Sequence, residues 1–319
     1  MPLITAAYLA YAAGLFAGFH AAAWISMCFA AALLARAALS RSTDGAALTL
    51  VFAAGALVAS SSPEPERAQG RWRNIQPSDP LSRIRASAAL KIDRVFAGDA
   101  PMARALLIAD QREIPAEMRD RYAAAGLVHM LSISGLHVAV IASAMELLFQ
   151  VARLSRRAAL LGAFVATAIY VTIIGAPPPA VRSAAMLGVT MVSRLSQRPS
   201  SPWAALAIGA FAPLVNPRTV LDLGYQLSVL GMCGLIAGGA ASSRYLKGIG
   251  GRWSSHVSKE LLVSLVACAV TAPLVAYRFG TISLIAPVSN LFAAPIIGVA
   301  QPMLFLTLVL APFDSAARF

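Results

Sequence analysis

The chain has 319 residues, 58% of them apolar and only 13% charged, with a mean hydropathy of +0.71. Soluble domains carry about 25% charged residues, so this composition excludes an ordinary soluble globular domain and points to a membrane protein. The net charge of +12 has two readings, a polyanionic ligand or the basic bias of cytoplasmic loops.

The apolar residues come in blocks of roughly 17 to 25, long enough to cross a bilayer as helices. The N-terminus, MPLITAAYLAYAAGLF, lacks the basic region of a secretory signal and reads as a true span. Runs 3–19 and 21–39, parted around Gly18 and His20, are expected to form a tight helical hairpin. A short Ala-rich run follows at 46–60.

Residues 61–122 are polar, with 11 basic and 9 acidic side chains. Within this segment, LSRIRASAALKIDRVF (81–96) spaces Leu81, Ile84, Ala88, Ile92 and Val95 by three and four, the pattern of an amphipathic helix. Such a helix lies on the membrane surface, packs on the bundle, or covers a small domain. A second helix is expected over 100–110, with Asp99 as N-cap and Pro101 in its first turn.

Further spans are expected at 127–150, 158–174, 181–193, 202–215, 223–241, 260–277 and 281–313. The last carries Pro287, Pro295 and Pro302, and reads as one broken span, two spans, or a span with a re-entrant loop. The fold expected is all-α, a polytopic helical membrane protein of about nine to eleven transmembrane helices. Some of these helices are short or broken, and one extracytoplasmic segment carries the amphipathic helix. Its parts are N-terminal helices (1–60), the polar segment (61–122) and a larger transmembrane unit (123–319).

Loop charge gives the orientation. With the N-terminus cytoplasmic, the cytoplasmic loops hold Arg36, Arg41, Arg153, Arg156, Arg157, Arg194, Arg198, Arg244, Lys247, Arg252 and Lys259. The short connections opposite hold only Arg182, Arg218 and Arg278. Eleven against three satisfies the positive-inside rule and favours loop bias as the main source of the net charge. Residues 61–122 then lie outside the cytoplasm. Cys28, Cys233 and Cys268 sit far apart inside apolar blocks, with neither metal spacing nor a disulfide framework.

Polar groups at membrane depth are costly and tend to face a cavity or a partner. GLVHMLSISGLHVAVI (126–141) carries His129, Ser132, Ser134, Gly135 and His137. On one helix the two histidines would be separated by about 80°, although the Ser-Gly pair could unwind the helix between them. Two alternatives stand: these groups join helix to helix, or they line a path. A Ser134 nucleophile with His137 as base lacks an evident orienting acid, and the histidines lack the companions of a metal site. No catalytic or metal-binding residue is therefore assigned.

In GAPPPAVR (175–182), a chain break precedes a helix start at Pro178. The amides of that helix end, with Arg182 in the first turn, suit a phosphate; the alternative is a tight turn with a snorkelling arginine. In LDLGYQLSVLG (221–231), Asp222 is placed as an N-cap with Gln226 one turn on. Asn290, in VSNLFAAP, is expected to bond across helices.

Together HMLSISGLHV (129–138), the upstream DQREIPAEMRDRYAAAGL (110–127), GAPPPAVRSA (175–184), LDLGYQLSVLG and PLVAYRFGTISLIAPVSNLFAAP (273–295) resemble, in this order, the ComEC-type competence family. The resemblance covers roughly residues 80 to 313 and implies an inner-membrane channel carrying transforming DNA, as a single strand, into the cytoplasm. It implies single-stranded DNA and the lipid bilayer as partners, beside an uptake ATPase, a receptor and a nuclease, with homo-oligomerisation open. It implies no cofactor. The path would be lined by His129, Ser132, Ser134, Gly135, His137, Pro178, Arg182, Asp222, Gln226 and Asn290.

Two departures stand out. The stretch between Ser61 and the amphipathic helix is too short for the OB-like domain that family members commonly carry. The chain also lacks the HxHxDH-type run of a metallo-β-lactamase-like nuclease, so no enzymatic activity is expected of it. It reads as a truncated product, one part of a split system, or a minimal pore. A small-solute permease with a midplane site and a membrane scaffold for uptake proteins are the alternatives.

Overall fold

Small residues decide how the first helices meet. The computed structural model describes residues 3–20, 28, 30–33, 43–62, 80–246 and 252–316, and in it α1 (Leu3–His20) packs on α2 (Thr43–Ser61). A Cβ on Gly14 would fall 2.1 Å from the Phe52 carbonyl oxygen, so glycine alone permits this backbone approach. Lipid gives helices no hydrophobic drive to associate, and close backbone packing takes its place. The run 21–39, expected to pair with α1, lies almost wholly outside the described residues.

The expected amphipathic helix is α3 (Pro80–Phe96), followed by a 3-10 turn and by α4 (Ala100–Ile108) and α5 (Ala116–Ala124). Its apolar side faces the bundle: Ile92 is fully buried with Ala103 and Leu107 of α4, and Leu304, Phe305 and Leu308 pack on the same cluster. Arg104 on α4 ties this unit together by bonding Asp93 of α3 and, at 2.6 Å, Glu113. Arg85 of α3 donates to the carbonyls of Thr172 and Ile173 at the end of a later helix, where Thr172 also accepts the Gly175 N–H. The expected Asp99 cap does not form. Its backbone (φ −92°, ψ 3°) belongs to the tight turn rather than to an extended N-cap, and its side chain makes no capping bond.

The remaining helices are α6 (Gly135–Val151), α7 (Arg156–Ile173), α8 (Pro178–Ser196), α9 (Pro202–Phe211), α10 (Leu223–Tyr245), α11 (Arg252–Phe279) and α12 (Ala286–Ala316). The span expected over 127–150 is helical only from Gly135; before it come a 3-10 turn (Val128–Leu131) and an extended Ser132. Pro178 and Pro179 open α8, where the missing proline N–H costs nothing. The proline-rich block 281–313 resolves into a single helix of 31 residues from Ala286. Pro287 sits in its first turn, where proline is tolerated.

Two cores hold the bundle. Val138 of α6, Val171 of α7 and Ala180 of α8 enclose one, joined by Ala109 and Ile133. The other joins Tyr8 and Leu15 of α1 to Ala207 and Ala210 of α9 and Tyr225 of α10. Glycines again set the α10–α11 pairing, since a Cβ on Gly234 would lie 2.5 Å from the Ala267 Cα. Among the described residues there are no strands, and six helices are long and apolar enough to cross a membrane: α1, α2, α7, α10, α11 and α12. Shorter apolar helices run over 135–151 and 202–215. The chain is an all-α, polytopic helical membrane protein.

Candidate functional site

The helix break in LSISGL is built by its own side chains. Ser134 is extended (φ −94°, ψ 177°) and begins α6 as its N-cap. Its N–H donates to Nδ1 of His137 at 3.1 Å, and its hydroxyl lies 2.8 Å from the same nitrogen. His137 thus takes the place that Glu or Gln usually fills in a reciprocal capping box. Because Nδ1 accepts a backbone N–H, the imidazole proton sits on Nε2. His137 is fully buried, and Nε2 has no hydrogen-bond partner among the described residues. The Ser134–His137 pair has the approach a nucleophile and base would need. The nitrogen that an orienting carboxylate would hold, Nε2, is unpaired, so the geometry is that of a cap.

Arg182, opening the second turn of α8, faces this break. Its Nη2 lies 3.3 Å from the position of a Cβ on Gly135, and the Ser183 hydroxyl lies 2.8 Å from it. Only glycine leaves room there. The guanidinium is 2% exposed and donates to the Ser228 hydroxyl of α10 from Nε (2.9 Å) and Nη2 (2.6 Å); Nη1 meets the Met186 sulfur at 3.2 Å. Among the described residues it has no carboxylate partner. Arginine stays charged in proteins, and a buried ion is ordinarily paired. Arg182 is a buried positive charge neutralised by nothing on three surrounding helices.

The start of α10 is fixed by Asp222, whose carboxylate accepts the Tyr225 N–H at 2.7 Å. This places the Tyr225 hydroxyl to donate to the Ala210 carbonyl (3.0 Å), so the Tyr8 hydroxyl must donate to Tyr225 (2.8 Å). Gln226 donates to the Val220 carbonyl at 2.8 Å. Asp222, read from the sequence as an N-cap, caps α10, and Gln226 closes the turn that leads into it.

Of the residues singled out from sequence, Ser134, Gly135, His137 and Arg182 converge, with Pro178 opening the helix that carries Arg182. His129 is exposed on the preceding turn, its carbonyl accepting from the Ser132 hydroxyl at 3.0 Å. Asn290 stands apart on α12 and bonds across to Ser264 of α11 at 3.4 Å. Sequence reasoning missed Ser183, Ser228 and the Tyr8–Tyr225 pair. A serine facing inward from an apolar helix near an arginine is the signal for Ser228, but the pairing spans 46 positions. Of the other cations near membrane depth, Arg218 holds the Ser62 carbonyl and stacks over Phe19 at 5.2 Å, while Arg278 lies over Tyr277. Among the described residues no three His, Cys, Asp or Glu side chains gather as metal ligands.

Outside the spans, Arg112 chelates Asp110 through 2.8 and 2.7 Å bonds. The Arg112 hydrogen bond holds the Asp110 carboxyl below its ordinary range, against the opposing effect of burial.

A family model described as "Competence protein" matches residues 106–319. The "ComE operon protein 3" of Bacillus subtilis (strain 168) is 26% identical over 193 residues, 60% of this chain and 24% of that protein. The chain thus spans about a quarter of that curated relative. No solved structure matches.

Proposed function

The chain belongs to the competence protein family, and from that premise we propose that it forms the membrane passage through which a single strand of transforming DNA enters the cytoplasm. Phosphates cannot enter hydrocarbon bare, so such a route must be lined by polar groups and irregular backbone that face it. The α6–α8–α10 seam has both. It joins two helix starts, the capped break at Ser134–His137 and a buried guanidinium. The uncompensated charge of Arg182 is the observation that carries the reading. The path assigned here runs along Ser134, Gly135, His137 and Arg182, with Asp222 and Gln226 shaping its edge. A lining with few cations suits passage, because conduction needs binding weak enough to release.

In this reading the N-terminus is cytoplasmic and residues 61–122 face outward. Arg85 to Ile173 and Arg218 to Ser62 support it, because each ties that segment to a connection assigned to the same side, and Ser283 to Ala124 (2.7 Å) does so just past its end. Passage also requires partners that capture the strand, remove its complement and supply energy. The test is a deletion strain of the source bacterium complemented with this chain. Loss of transformation with normal DNA binding at the cell surface supports the passage, and unchanged transformation on deletion overturns it.

A further inference from the structure

We propose that Arg182, the first-turn amides of α6 and Nε2 of His137 together seat one phosphodiester oxyanion of the passing strand, an inference that rests on the channel reading above. Three observations converge. Arg182 is 2% exposed, and the partners of its guanidinium are a hydroxyl and a thioether, so among the described residues its charge meets no carboxylate. Its Nη2 is turned to Gly135, 3.3 Å from where a side chain would begin, and therefore to the end of a helix whose first amides, apart from the His137 N–H that Ser134 caps, have no intrahelical partner and attract anions. In that same turn His137 is fully buried with Nε2 unpartnered, a proton donor by the tautomer its Nδ1 contact imposes.

An arginine kept only for packing would be better served by an apolar side chain of similar volume, because an unpaired buried charge destabilises the fold that holds it. An oxyanion answers all three donors at once. A phosphate could come from the strand or from a lipid headgroup. The seat is enclosed by α6, α8 and α10, which favours the strand. In the described conformation Gly135 packs on Ser183, so the strand reaches the guanidinium only when α6 and α8 part.

The test uses the full chain in phosphatidylcholine nanodiscs and a fluorescein-labelled oligothymidylate titrated across salt concentrations. Each phosphate contacted by a cation contributes a slope of about −0.7 to log K against log salt for single strands. Arg182→Gln is expected to weaken binding roughly tenfold and to flatten that slope by about 0.7. An oligomer with uncharged methylphosphonate linkages should bind wild type and Arg182→Gln alike. Arg182→Lys, which keeps the positive charge, keeps the wild-type slope and guards against a folding defect in the first variant. An unchanged slope in Arg182→Gln, an equal loss in Arg182→Lys, or no binding by wild type at low salt would overturn the seat. If Arg182→Gln instead alters only the thermal shift produced by added phosphatidylglycerol, the seat is a lipid site and the assignment to the strand is wrong. Transformation lost in Arg182→Gln with an unchanged slope removes the seat and leaves the channel standing.

Discussion

The α6–α8–α10 seam and the α11–α12 arm are both built of apolar helices but solve opposite problems. In the seam, polar groups are buried and held by named partners: Ser134 by His137, Arg182 by Ser228, Tyr225 by Asp222 and Ala210. In the arm, only 6% of the spanning window of either helix is buried, against 17% for α10, and its polar links are long: Asn290 to Ser264 and Gln301 to the Leu106 carbonyl, both at 3.4 Å. Burial at polar positions marks the seam as the part shaped for a task. Exposure at apolar positions marks the arm as a face for lipid.

The largest effect should come from the glycine contact that hangs the arm on α10. Gly234→Leu would drive a side chain into the Ala267 backbone, which cannot yield by a rotamer change, and should cost about 3 kcal/mol with loss of folded yield from membranes. Gly239→Ala, with nothing within 4 Å, should stay within about 0.5 kcal/mol. Equal thermal midpoints for the two variants would break the account of how the arm is attached.

Next comes the seam itself. His137→Ala removes the acceptor that caps α6 and should lower stability by about 1 kcal/mol, while His137→Gln, which can still accept the Ser134 N–H, should recover most of it. His129→Ala, on an exposed turn, should change neither folding nor transformation. If His129→Ala and His137→Ala behave alike in thermal unfolding and transformation, the two histidines share one role and the contrast drawn here fails.

Much of this contrast was legible in the chain, and the exceptions have physical causes. Local chemistry was readable: the Ser-Gly pair breaking the helix ahead of α6, Pro178 starting α8, Asp222 capping α10. Pairings set by tertiary contact were not. Arg182 needed a partner, but nothing local to Ser228 distinguishes it from the serines that merely bond back to their own helix, as Ser183 does to the Pro179 carbonyl at 2.9 Å. The prolines of α12 misled in the other direction. Proline removes a donor and crowds a carbonyl, which predicts a break, yet Pro295 and Pro302 stand inside one helix, as membrane helices tolerate where neighbouring helices pack on them. Asp99 failed as a cap because Ala97 to Asp99 had already closed into a turn.

In the arm, Asn290→Leu should cost about 0.6 kcal/mol, the worth of one hydrogen bond between membrane helices, and leave transformation within about twofold. A loss as deep as that of Arg182→Gln would place Asn290 on the path and erase the distinction between the two regions. Residue orientation can be checked alongside: in a cysteine-free background, a membrane-impermeant maleimide should label Asp120→Cys in intact cells and spare Gln197→Cys. Both positions are exposed, and the reverse pattern would invert the proposed topology.

The smallest expected effect lies outside both regions, at Asp110 and Arg112. Hydrogen bonding from Arg112 lowers the Asp110 carboxyl below its unfolded value, so the folded state favours the ionised form. That contribution is fully present above the unfolded carboxylate's pKa and fades as pH falls through the lowered folded value. Arg112 is 70% exposed, so solvent screens the pair and holds its worth below about 1 kcal/mol. Asp110→Asn should therefore lower the thermal midpoint slightly at neutral pH and converge with wild type in acid. A gap that persists unchanged as the pH falls would mean that Asp110 acts by packing beneath α4 rather than by its charge.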